Sequence, residues 1–149
     1  MSSTATFNEA TVRVRTGPLV APVLSRVVGM LAARAQCPID RLDDAMLLTD
    51  AVAAHAPANA RNGHVAISVR ADDSQLEVRV AELAADGAKR LVADANLPGV
   101  GNVFEQVADE IATERGDEND DLVLRLKFRS EAVLDAPRPI PSPLDRDAT

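Results

Sequence analysis

The chain opens on a short alternation: Val12 and Val14 are apolar, while Arg13 and Arg15 are charged. A period of two predicts a strand with one face buried. Gly17-Pro18 breaks it. From Leu19 to Ala35 the apolar residues Val20, Leu24, Val27, Leu31 and Ala35 return every three or four positions, the period of a helix. Pro22 is compatible with that helix in its first turn. Cys37-Pro38 ends it. Asp40 is placed to cap a second helix, with Leu42, Ala45, Met46, Thr49, Val52 and Ala53 as its buried stripe and Pro57 as its end.

Alternation resumes with Val65, Ile67 and Val69, then with Leu76, Val78 and Val80. Asp72-Asp73-Ser74 between them reads as the turn of an antiparallel hairpin. After Glu82 the pattern dissolves into small residues, glycines and a proline, partly helical and largely loop. A third helix is expected from Val103 to Ile111, with Val103, Phe104, Val107 and Ile111 on one side. The acidic stretch ERGDENDD then turns the chain into a last strand carrying Leu122, Leu124, Leu126 and Phe128. This order predicts an α+β two-layer sandwich: a mostly antiparallel sheet of four or more strands with three main helices on one face. Residues 1–10 read as a flexible N-terminus and 11–130 as the folded domain. Residues 131–149, with Pro137, Pro139, Pro141 and Pro143, read as an extended, mobile tail.

Composition narrows the function. With 149 residues, 46 % of them hydrophobic, one domain can build a proper core, and three Phe with no Trp or Tyr make that core aliphatic. A net charge of −7 argues against general nucleic-acid binding, which needs a basic footprint. The start lacks the apolar region of a signal peptide, and no uncharged apolar run is long enough to span a membrane. A cytoplasmic protein with no membrane partner is expected. The single Cys37 cannot form an internal disulfide. Cys37, His55 and His64 lie in three different elements without metal-ligand spacing, so no metal site is expected from them.

Gly99 and Gly101 stand just before the expected third helix. There they either make an ordinary turn or aim backbone N–H groups at a phosphate. Together with the order of elements, the local sequence resembles the GHKL (histidine-kinase-like) ATPase fold in its small bacterial form, the anti-sigma-factor serine kinases and related regulatory ATPases. The resemblance runs from about Val12 to Phe128. In that family the second helix carries a Glu and, four residues later, a magnesium-holding Asn, and LLTDAVAA places Asp50 and Ala54 at these positions. An adenine-reading Asp followed by glycines corresponds to Glu82 and Ala84. The Gly-x-Gly ahead of the last helix is kept as Gly99 and Gly101.

The resemblance implies ATP and Mg as cofactors, but the departures argue against catalysis. Ala54 has no oxygen for a hard cation, Asp50 is one methylene shorter than Glu, and Ala84 adds a methyl where adenine would approach. Asp50 then faces a relic pocket; the other reading makes it a solvated flank of an ordinary helix. Strand alternation also places Arg13, Arg15, Arg70, Arg79, Arg125, Lys127 and Arg129 on the sheet face away from the helices. That face is either a solvated surface with nearby carboxylates or a docking surface, centred on Arg70, Arg79 and Arg125, for an acidic partner or a second copy. The resulting expectation is a non-catalytic regulator that binds a sigma factor or an anti-sigma antagonist. The alternatives are an active ATP-dependent serine kinase and a domain of similar architecture with no nucleotide link.

Overall fold

The computed structural model describes residues 8–128; the readings made for residues 1–7, Arg129 and the proline-rich tail lie outside the described residues. Strand β1 (Asn8–Arg15) begins earlier than the alternation of valines suggests, so Asn8, Glu9 and Ala10 belong to the sheet and not to a flexible lead. Helix α1 (Val20–Arg34) buries Val20, Leu24, Val28, Leu31 and Ala32. It ends with Gln36 in the left-handed region, at φ 58°, where the N–H groups of Gln36 and Cys37 turn back to the carbonyls of Ala33 and Ala32. This helix stop is one that glycine usually supplies.

Helix α2 (Ile39–Asn59) starts from Pro38, with Asp40 inside the first turn and not at the cap. It also runs two residues past Pro57. So close to the helix end, the missing N–H forfeits a single helical bond. Asn59 holds the last turn from its side chain, Nδ2 donating to the carbonyl of His55 and to Asp94 Oδ2.

Strands β2 (His64–Ala71) and β3 (Gln75–Leu83) form the expected hairpin. At its tip Asp72 Oδ1 accepts from the backbone N–H groups of Ser74 and Gln75 and from the Ser74 hydroxyl, an Asx-type turn. The chain continues through α3 (Gly87–Asp94), the two-residue strands β4 (Asn96–Leu97) and β5 (Gly101–Asn102), the short α4 (Val103–Val107), β6 (Glu110–Arg115) and β7 (Asp120–Lys127).

The expected third helix is therefore corrected: only Val103–Val107 is helical, and Ile111 lies in a strand, opposite Leu124. Asp109 marks the change. Its carboxylate accepts from the Lys127 N–H and from Arg41 Nη2, and its own N–H donates to the carbonyl of Arg125. These bonds hold the backbone against β7 and offer it an alternative to another helical turn. Five of these strands form the main sheet, antiparallel throughout in the order β1-β2-β3-β7-β6, while β4 and β5 pair with each other.

The core lies between this sheet and the helices. Leu24 and Val28 from α1, Leu48 and Val52 from α2, Leu91 from α3 and Phe104 from α4 meet Ile67, Val80, Leu122, Leu124 and Leu126 from the strands. The molecule is thus an α+β two-layer sandwich. Among the described residues no helix is long and apolar enough to cross a membrane.

Candidate functional site

Asp50 and Ala54 both lie on the solvent side of α2, on the stripe that also carries Asp43 and Leu47. Their spacing of four places them on one helix face, as expected. The Asp50 side chain makes no hydrogen bond or ion pair with the described residues. Beside it Ala54 offers only a methyl.

Glu82 is elsewhere. Across β3 and β7, Val80 pairs with Leu122 and Leu83 with Asp120, so Ala81 and Glu82 together oppose the single residue Asp121. This is a two-against-one β-bulge, with Glu82 at φ 57°. Strict alternation from Val78 and Val80 would have pointed Glu82 toward the helices. The bulge hands the inward position to Leu83, which is buried, and sends Glu82 to the helix-free face. There its carboxylate accepts from Arg13 Nη2 at 3.0 Å. The off-phase apolar residue Leu83 is the sequence signal for this shift. Ala84 keeps its place near α2, its N–H donating to the carbonyl of Asn59.

Gly99 lies in the turn between β4 and β5, at φ 78°, and Gly101 opens β5 at φ 111°. Gln106 lies against this turn, its Nε2 donating to the Val100 carbonyl at 2.5 Å and standing 2.7 Å from where a Cβ on Gly101 would be. Asn102 then fastens the loop. Its Oδ1 caps α4 through the Glu105 N–H, while its Nδ2 donates to the Val92 carbonyl and to Asn96 Oδ1. These groups do not fit magnesium-ATP. Position 54 has no oxygen for the metal, the acid of position 82 is on the other side of the sheet, and the loop amide donors sit beside a side chain already bonded there.

Two buried polar residues were not legible in the sequence. Asn59, 3 % exposed, joins α2 to α3 through Asp94 and through Arg90 Nε, which donates to Asn59 Oδ1. Asp120, 6 % exposed, accepts from the N–H of Asp86 at the start of α3. Both set α3 on its neighbours. A concavity at the β6–β7 turn is lined by Glu114, Asp117, Glu118 and Asp121 with Arg115, a lining that disfavours phosphate. Among the described residues no group of three His, Cys, Asp or Glu side chains could hold a metal ion.

On the helix-free face the register builds a row across all five strands: Glu9, Arg70, Glu77, Arg125 and Glu110. The signs alternate. Arg125 pairs with Glu77 and Glu110, Lys127 with Glu110, and Arg79 with Glu114 and Asp121. Hydrogen bonds from Lys127 and Arg125 hold the Glu110 carboxyl below its ordinary range, and those from Arg79 do the same for Glu114. The same bonds raise the arginines: Arg79 chiefly through Glu114 and then Asp121, Arg125 chiefly through Glu110. Arg13, Arg15, Arg70, Arg79, Arg125 and Lys127 are thus matched in number by Glu9, Glu77, Glu82, Glu110, Glu114 and Asp121. The face is a lattice of opposite charges and not a basic patch.

No protein-family model matches the chain, and no curated protein matches it.

Proposed function

We propose that this protein is a regulator that acts by binding another protein, on a scaffold resembling the small GHKL ATPases whose nucleotide site no longer supports phosphoryl transfer. Its partner is a sigma factor or the antagonist of one, and its compartment is the cytoplasm. The observation that carries this reading is the bulge at Ala81–Glu82. It leaves Asp50 and Ala54 without the acid that would read adenine, in addition to the missing metal ligand at Ala54. A scaffold of the right order that lacks convergent reacting groups is suited to recognition.

The test is thermal melting of the full chain with and without millimolar magnesium-ATP. A ligand present at 100 times its Kd would add about 2.7 kcal/mol, a shift that melting would reveal. No resolved shift is expected, and no labelled phosphate should reach a serine of any bound partner. A clear ATP-dependent shift with phosphate transfer would replace this reading with an active serine kinase.

A further inference from the structure

We infer that residues 137–144 of the same chain dock on β1 as an added edge strand, parallel to it, and close the sheet on that side. β1 is eight residues long and pairs in unbroken register with β2, from Asn8 opposite Ala71 to Arg15 opposite His64. Its other side has no strand among the described residues. A long open edge is ordinarily blunted by a proline, a bulge or an inward charge, or is covered by another segment. β1 has no proline, bulge or inward charge: it turns Ala10, Val12 and Val14 inward, all only partly buried.

Backbone direction defines what can cover this edge. The Thr16 N–H donates to the Gly63 carbonyl, continuing the β1–β2 ladder, so even-numbered residues of β1 aim their backbone groups at β2. Residues 9, 11, 13 and 15 aim theirs at the open edge. A covering strand needs an N–H only at every second residue, because successive residues face opposite sides. Pro137, Pro139, Pro141 and Pro143 fall at every second position, with Arg138, Ile140, Ser142 and Leu144 between them. In an extended segment all four donors therefore point one way and all four missing donors the other. Such a strand can pair with β1 and has nothing to donate on its far side, the one setting in which a sheet tolerates proline.

Reach and direction agree. The Phe128 N–H donates to the Ser74 carbonyl, at the end of the sheet where the β2–β3 hairpin turns and where Asn8 stands opposite Ala71. The place beyond β1 lies four strand spacings from β7, about 19 Å. Residues 129–136 can extend over about 26 Å, so the chain reaches the Asn8 end and runs on in the direction of β1. With Ile140 opposite Val12, its N–H donates to the Thr11 carbonyl and its carbonyl accepts from the Arg13 N–H. Arg138 and Ser142 do the same around Ala10 and Val14. Residues directly opposite share a face, which sets Ile140 beside the half-covered Val12 on the helix side. Residues 1–7 are a poorer candidate: after the two residues of the tightest hairpin turn, only about five remain to cover the eight of β1.

Amide exchange of the full chain, followed over a range of concentrations, reads this edge directly. The Thr11 and Arg13 N–H groups should be protected, to the same degree at every concentration. Ile140→Pro removes a donor that faces β1 and should speed exchange at Thr11 and Arg13 about tenfold or more. Exchange at Val12 and Val14, whose N–H groups face β2, should stay unchanged and so report a folded domain. Pro141→Ala adds a donor on the far side and should leave the protection as it is. Fast exchange at Thr11 and Arg13 in the unmodified chain, protection that grows with concentration, protection that survives Ile140→Pro, or protection lost in Pro141→Ala would each overturn the assignment.

Discussion

Arg13 on β1 and Glu82 on β3 are joined at 3.0 Å across the helix-free face, over the intervening strand β2. The pair is the visible consequence of the bulge, since Glu82 can reach Arg13 only once it has left the helix side. With Arg13 about half exposed, the bond is a surface ion pair. A double-mutant cycle with Arg13→Ala and Glu82→Ala should give a coupling of about 0.2–1 kcal/mol. Zero coupling would mean that Glu82 is not held outward in solution.

Gly87 at the start of α3 lies where a Cβ would come 2.9 Å from the Asn59 carbonyl oxygen and 3.1 Å from Leu83 Cβ. Neither neighbour can swing aside, because one is backbone and the other a buried core residue. Gly87→Ala should cost about 1–3 kcal/mol in denaturant unfolding. Gly63→Ala serves as the control: its Cβ would meet nothing within 4 Å, and its penalty comes only from φ 73°. A Gly87→Ala protein as stable as wild type would disprove the close approach of α3 to α2.

Gln36 holds a left-handed conformation that an L-residue adopts at a cost. Gln36→Gly should therefore stabilise the protein by about 0.5–1 kcal/mol, despite the freer unfolded chain. A lower melting temperature would mean that the turn after α1 has another geometry.

The charged face predicts an acid limb. Glu110 and Glu114 are held below their ordinary value of 4.5 by hydrogen bonds from Lys127, Arg125 and Arg79. Asp72 is also lowered: partial burial pushes it up, but the bonds from Ser74 and Gln75, with Arg70 nearby, outweigh that. As pH falls, the unfolded chain takes up these protons first. The stability they contribute is thus complete above the ordinary carboxylate range and lost as pH falls through the depressed values. Melting temperature should be level near neutrality and drop below pH 4.5. Glu114→Gln should flatten that drop, and a superimposable acid limb would refute its part in it.

Cys37 predicts slow thiol chemistry. Burial pushes the thiol up from its ordinary 9.0, against the pull of Arg41, with Asp40 and Asp44 adding to the rise. Alkylation by iodoacetamide should be slower at pH 7.5 than for an unfolded chain and should still be climbing past pH 9. Fast labelling at neutral pH would contradict this placement.

The parts of the fold legible in the sequence are those governed by periodicity. Val12 and Val14, Val65 to Val69 and Leu122 to Leu126 each announce a strand face, and the stripe from Val20 to Leu31 announces α1. What periodicity could not reveal depends on partners distant in the chain. Asp109 stops α4 because Arg41 and Lys127 hold it, and Pro57 stays within α2 while Asn59 reaches Asp94. The outward position of Glu82 depends on the bulge between β3 and β7. Leu83, one step out of phase with Val78 and Val80, is the residue that fits the core, and Glu82 turns outward beside it. Alternation alone puts Arg13, Arg15, Arg70, Arg79, Arg125 and Lys127 on one sheet face, but their partners Glu110 and Glu114 lie where the pattern reads as helix and turn.

The order of the strands also governs when the molecule can be completed during synthesis. Among the described residues β7 is the last strand to leave the ribosome, yet it lies inside the sheet, between β3 and β6. Until Lys127 has emerged, β3 has an unpaired side and β6 has no neighbour at all. The nascent chain therefore exposes a strand edge from the time β3 is complete until β7 follows, when association with other chains is most hazardous. When β7 arrives it closes both gaps at once. Arg41 then binds the Lys127 carbonyl, securing the newest strand to a helix made much earlier.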